Sequence, residues 1–92
     1  MIRIEEHFNN TETVLLKVEG RLDRESLPAF RQECERYLGT GNKVCLNLGG
    51  LNHIGQDGLD FLRSIRDQVF FLELNEYYKM AIQDTDHEAV AS

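Results

Sequence analysis

The sequence contains no tryptophan, one proline, two cysteines and three histidines in 92 residues. With so little proline and no repeat or low-complexity tract, it offers no candidate linker, and residues 1–92 read as a single domain. Cys34 and Cys45 fall at apolar positions of a helical and a strand pattern. That placement predicts two buried, reduced thiols and no disulfide. His7, His53 and His87 are widely separated and match no zinc spacing, so no metal site is expected. No apolar run approaches the roughly 18–20 residues of a membrane span, and the start M-I-R-I-E-E is too acidic for a signal peptide. The expected location is the cytoplasm. Gly49-Gly50 and Gly55 are not followed by Gly-Lys-Ser/Thr, so there is no phosphate loop. Basic residues are also scarce: 10 Lys+Arg stand against 16 Asp+Glu, a formal net charge of −6. That sign repels nucleic acid and anionic membranes, and steers toward the chain a protein partner with a basic face.

What is present is an ordinary globular composition, 41 % hydrophobic and 28 % charged. A chain this short buries roughly 60–65 % of its unfolded surface, enough for one two-layer core. Residues 1–6 alternate as a strand, residues 7–12 carry turn chemistry, and Thr13 to Glu19 form a stronger strand ended by Gly20. A helix follows, capped by Asp23 or Ser26, with Pro28 tolerated in its first turn. Its apolar face is Leu27, Phe30, Cys34, Tyr37 and Leu38, and Gly39 and Gly41 stop it. Lys43 to Leu48 is a third strand, broken by Gly49-Gly50. Residues 55–58 read as a loop before a second helix bearing Leu59, Leu62 and Ile65. Val69 to Leu74 fits either a buried strand or a continuation of that helix. Residues 76–82 read as a last helix, with Met80 and its aromatics in the core. The order implies an α/β fold, a small mixed sheet packed by helices on one face, with the third strand parallel to the second.

The residues Gly20-Arg21-Leu22-Asp23, Asn47-Leu48-Gly49 and Ile54-Gly55-Gln56-Asp57-Gly58-Leu59 resemble, in order and spacing, the motifs of the STAS domain family. The resemblance is clearest over residues 2–66; residues 67–92 are atypical, because little chain separates Gly58 from Val69. It implies a non-enzymatic regulatory module of the anti-sigma factor antagonist type. Such modules dock on a serine-kinase-like anti-sigma factor, a stressosome scaffold or a transport ATPase. The implied partner surface comprises Asn52, Gln56, Asp57, Asp60 and Arg63, and no cofactor is implied.

Family antagonists carry a phosphorylatable Ser before the loop Gly, and Asp57 stands at that position here. Two readings of Asp57 follow. It holds the domain in something like the phosphorylated, partner-released state, since phosphoserine adds about −1.5 to −2 charge and Asp adds −1. Otherwise it is a helix N-cap, with Gly55 required for the turn. A second class of function is a small-ligand or nucleotide-binding domain, which some family members are thought to be. Catalysis is not expected: neither cysteine lies beside a polar loop, and Asp57 with Asp60 reads as a solvated carboxylate pair. If the segment from Val69 is helical, Phe70 and Phe71 are left uncovered and favour a homodimer.

Overall fold

The computed structural model describes residues 1–83. The chain runs β1 (Ile2–Phe8), β2 (Thr13–Leu22), α1 (Leu27–Gly39), β3 (Lys43–Ile54), α2 (Gln56–Ile65), β4 (Val69–Leu72) and α3 (Glu76–Gln83). These strands form one sheet in the order β1-β2-β3-β4. β1 pairs antiparallel with β2, while β2, β3 and β4 run parallel. Asn10 tightens the β1–β2 hairpin, its Oδ1 accepting the backbone N–H groups of Glu12 (2.7 Å) and Thr13 (2.9 Å). The parallel pairs require helical crossovers, which α1 and α2 supply.

Alternation along the strands separates the two faces. Val14, Leu16, Val18, Val44, Leu46, Leu48 and Val69 are buried together with Phe30 and Cys34 of α1, Phe61, Leu62 and Ile65 of α2, and Ile82 of α3. The helices therefore cover one face of a mixed α/β sheet. Phe30 and Phe61 meet edge to face, with centroids 5.7 Å apart, and join α1 to α2. The opposite face carries Leu15, Lys17, Cys45, Asn47 and Phe70.

Several local expectations are corrected. β2 does not stop at Gly20, and β3 runs through Gly49-Gly50, because the two strands keep pairing as far as Leu22 opposite Ile54, with register shifts that absorb the glycines. Gly20 lies at φ +105°, and a Cβ there would collide with the Met1 carbonyl oxygen. Residues 56–58 belong to α2 and not to a loop. Residues 69–72 form a strand: β3 offers an open edge, Val44 pairs with Val69, and the ladder bonds outweigh continued helical spacing. The ground given for a dimer, a lost strand, thus disappears, although Phe70 remains 62 % exposed. Cys34 is buried as expected, but Cys45 is only half-buried because it points to the open face. Met80 and Tyr77 are exposed rather than core; the short α3 contacts the core through Tyr78, Ala81 and Ile82.

Candidate functional site

Two of the three family-like motifs, residues 20–23 and 54–59, converge where β2 and β3 end and α2 begins, while Asn47-Leu48-Gly49 lies within β3. At the end of β2 the turn through Asp23 is locked by Ser26, one of the few buried polar residues. Ser26 Oγ donates to the Arg21 carbonyl (2.7 Å), the Ser26 N–H donates to Asp23 Oδ1 (3.1 Å), and the Asp23 N–H donates to Ser26 Oγ (3.0 Å). Ser26 occupies the N-cap position of α1, yet neither it nor Asp23 caps through a side-chain bond to the helix; the pair secures the turn instead. The backbone bond from Ser26 holds the Asp23 carboxyl below its usual range.

α2 starts directly off β3. The Gly55 N–H donates to the Leu22 carbonyl (2.8 Å), and the Gly55 carbonyl accepts from Leu59 (2.9 Å). Gly55 itself is the N-cap residue, in an extended conformation. The N-cap reading of Asp57 is therefore wrong: Asp57 is the second residue of the helix, and no side chain caps it. Its charge still sits in the first turn, where the unpaired amides favour an anion by about 0.3–1 kcal/mol. Gly58 follows, and a Cβ there would lie 2.9 Å from Leu22 Cγ and 3.2 Å from the Leu22 carbonyl oxygen. Only glycine lets the first turn of α2 sit this close to the end of β2.

On this frame Asp57 Oδ2 accepts from Arg24 Nε at 3.1 Å. Asp57 is 44 % and Arg24 89 % exposed at the side chain. An exposed pair of this kind contributes about 0.2–1 kcal/mol. Gln56 Nε2 donates to Asp60 Oδ1 (2.9 Å), one helical turn on. Arg63 Nη1 lies 3.4 Å from the same oxygen, and its Nε donates to the Ala81 carbonyl (2.9 Å), tying α2 to α3. Gln56, Asp57, Asp60 and Arg63 thus lie along α2. Asn52 is exposed but stands apart from them, in a cleft with Leu48, Glu73, Asn75 and Tyr78.

Two basic residues beside this surface escaped the reading of the sequence, Arg24 and Arg31. Arg31 Cζ sits 5.2 Å over the Phe61 ring, and Arg31 shares with Leu27, Asp57, Asp60, Phe61 and Ser64 an open cleft of about 380 Å³. Arg24 precedes α1, so no helical spacing links it to Arg31; the two come to line one cleft with Leu27 and Pro28 only in the fold. Away from this surface, burial and the neighbouring Glu33 and Glu35 carboxylates push the Cys34 thiol up to about 12, so it is no nucleophile. Glu6 on β1 and Glu33 on α1 share a hydrogen bond that lowers the Glu6 carboxyl and raises that of Glu33.

These features define a class, a small α/β module whose polar groups gather on the surface at the start of one helix. The STAS domain model matches residues 2–70, most of the chain, and the chain belongs to the STAS domain family. Two solved structures share the fold. The anti-sigma factor antagonist SpoIIAA in its unphosphorylated form is 15 % identical, with 97 % of this chain and 96 % of that chain covered at a TM-score of 0.70. An anti-sigma factor antagonist from Mycobacterium paratuberculosis is 14 % identical, with coverage of 96 % and 82 % and a TM-score of 0.73. Comparison with curated proteins finds no match. Among the described residues, no helix is long and apolar enough to cross a membrane.

Proposed function

We propose that this chain is a non-enzymatic, cytoplasmic regulatory module that binds a protein partner in the manner of an anti-sigma factor antagonist, without a phosphorylation switch. The observation that carries the reading is Asp57. The motif resemblance sets it at the position where family antagonists carry a phosphorylatable serine; it sits in the first turn of α2, and Arg24 from the preceding turn engages it. A permanent negative charge at this place reproduces in part what a phosphate would create there. The docking surface is the exposed side of α2, with Gln56, Asp57 and Asp60, flanked by Asn52 and Arg63 and extended across the cleft to Arg31.

The test is affinity capture from the native host with wild type, Asp57→Ser and Asp57→Ala, followed by mass spectrometry. Capture of a kinase-like anti-sigma factor by the Ser and Ala variants alone identifies Asp57 as a permanent phosphate mimic. Capture of one non-kinase complex by all three, for example a transport ATPase, would remove the mimic and leave a constitutive subunit. If no variant captures any protein, the binding-module reading fails and a ligand screen by thermal shift, with GTP and ATP, replaces it.

A further inference from the structure

The arginines of this chain differ in how their charge is met. Arg3, Arg21, Arg24, Arg36 and Arg63 each lie 3.1–3.9 Å from a carboxylate oxygen. Arg31 has no such pair among the described residues, although it is exposed on α1 and Glu35 follows it by one helical turn. Its guanidinium is held by an aromatic ring instead. Arg31 Cζ sits 5.2 Å from the centroid of Phe61, a buried ring that Phe30 meets edge to face. A ring contact orients the cation but neutralises none of its charge and leaves its N–H donors open. On a chain of net charge −6, an oriented guanidinium without a carboxylate is the exception.

The clefts on either side of Arg31 decide where an anion could meet it. Leu27 and Arg31 line both. On the α2 side Asp57 and Asp60 complete the wall and repel a further carboxylate. On the α1 side an open cleft of about 310 Å³ adds Arg24, Pro28 and Gln32, against the single carboxylate of Glu35. Half-buried Leu27 and exposed Pro28 supply an apolar floor between the two arginines. The α1-side cleft is therefore the one that suits an acid.

We propose that this cleft anchors the protein partner, which places an acidic side chain between Arg24 and Arg31 and an apolar one on Leu27 and Pro28. The inference rests on the binding-module reading above and names the partner chemistry of that surface. Arg31 selects the acid. Its planar guanidinium can donate two parallel N–H bonds to one carboxylate, and because Phe61 already holds it, little side-chain freedom is lost on binding. The apolar floor favours a side chain of a protein over a free inorganic anion. The net charge of −6 acts at long range on the rate of approach, whereas a close charge pair governs register and dissociation.

The test is an NMR titration of the full chain with acetyl-Leu-Glu-Leu-amide and with its Gln counterpart, each to about 10 mM, read at the Arg31 Nε–H and the Leu27 methyl groups. The Glu peptide should shift both signals with a dissociation constant of about 1–5 mM, and the Gln peptide should bind at least about fivefold more weakly. Arg31→Gln should erase that difference. Lys17→Gln, an equal loss of charge on the open face of the sheet, should preserve it. Equal binding of the two peptides, no response at Arg31, or acetate alone matching the Glu peptide each overturns the proposal. With a partner captured on the α2 surface, Arg31→Glu should weaken binding at least about tenfold. Undiminished binding there overturns the proposal and leaves the binding-module reading intact. The peptide titration needs no captured partner, so its outcome and that of the capture are read separately.

Discussion

Gly58→Ala and Gly39→Ala are chemically the same change, glycine to alanine in a helix, and the structure gives them opposite signs. Helix propensity favours alanine by about 0.5–1 kcal/mol at both sites. At Gly39, in the last turn of α1, the new methyl meets nothing within 4 Å, so that gain should appear as added stability. At Gly58 the methyl would sit 2.9 Å from Leu22 Cγ and 3.1 Å from its Cδ2, with the Leu22 carbonyl oxygen 3.2 Å away. Leu22 is fully buried and anchors α2 through its carbonyl, so neither side gives way cheaply. Overpacking of this kind costs about 1–3 kcal/mol, leaving a net loss of up to about 2.5 kcal/mol after the propensity gain. For a domain this size each kcal/mol moves Tm by about 4–8 °C, well within reach of calorimetry or urea denaturation. Leu22→Ala alone should cost about 2–5 kcal/mol, but in its background Gly58→Ala should become neutral or stabilising. A coupling energy of about 1–3 kcal/mol in that double-mutant cycle is the signature of the contact. If Gly58→Ala stabilises the wild type as Gly39→Ala does, or the cycle shows no coupling, the close approach of α2 to β2 is not as described.

Thiol reagents should distinguish the two cysteines: half-buried Cys45 labels in the native protein, while Cys34, buried and with its thiol pushed up to about 12, reacts only on denaturation. Equal native labelling rates would refute that arrangement. Asp23 should contribute to acid sensitivity. Its folded pKa lies below 3.8, so the unfolded chain binds its proton first, and the stabilisation present above that value fades as pH falls through the folded pKa. Ser26→Ala removes the hydroxyl but keeps the backbone N–H that chiefly holds this carboxyl down; by NMR titration Asp23 should rise only in part and stay below 3.8, while stability should drop by about 1–2 kcal/mol as the turn loses its buried hydroxyl. A full return of Asp23 to its ordinary value in that variant would assign the shift to the hydroxyl and not to the backbone bond.

The two-layer α/β fold was legible because its signals are local and periodic. The alternation in Thr13 to Glu19 and the helical face Leu27, Phe30, Cys34, Tyr37 declare their partners regardless of context. Where tertiary contacts decide, local rules misled. Gly20 and Gly49-Gly50 read as stops, but parallel pairing of β2 with β3 carries both strands through them. Val69 to Leu72 satisfied helical and strand spacing alike, and only the free edge of β3 selects the strand. Met80 and Tyr77 were placed inside because an apolar residue at helical spacing is assigned to a core by default, whereas a helix of eight residues has only one buried stripe. For the site, the α2 residues were visible through the motif, but Arg24 was not. Its relation to Asp57 spans 33 positions and exists only once the β2 turn is folded against α2.

That pair also bounds what Asp57 can do. An exposed ion pair contributes about 0.2–1 kcal/mol, which is at most about a fivefold factor in any equilibrium it opposes. If docking on the α2 surface merely required Arg24 and Asp57 to part, Asp57→Ala would change partner affinity by no more than that. A change of a hundredfold would correspond to about 2.7 kcal/mol, beyond the reach of the pair. Such a change would mean that the Asp57 carboxylate itself meets the partner, as a desolvated or like-charged group. Arg24→Ala separates the cases: it releases Asp57 without neutralising it. Under the first mechanism it should reproduce Asp57→Ala, and under the second it should leave the block in place or deepen it. The second pattern is the one a permanent phosphate mimic requires.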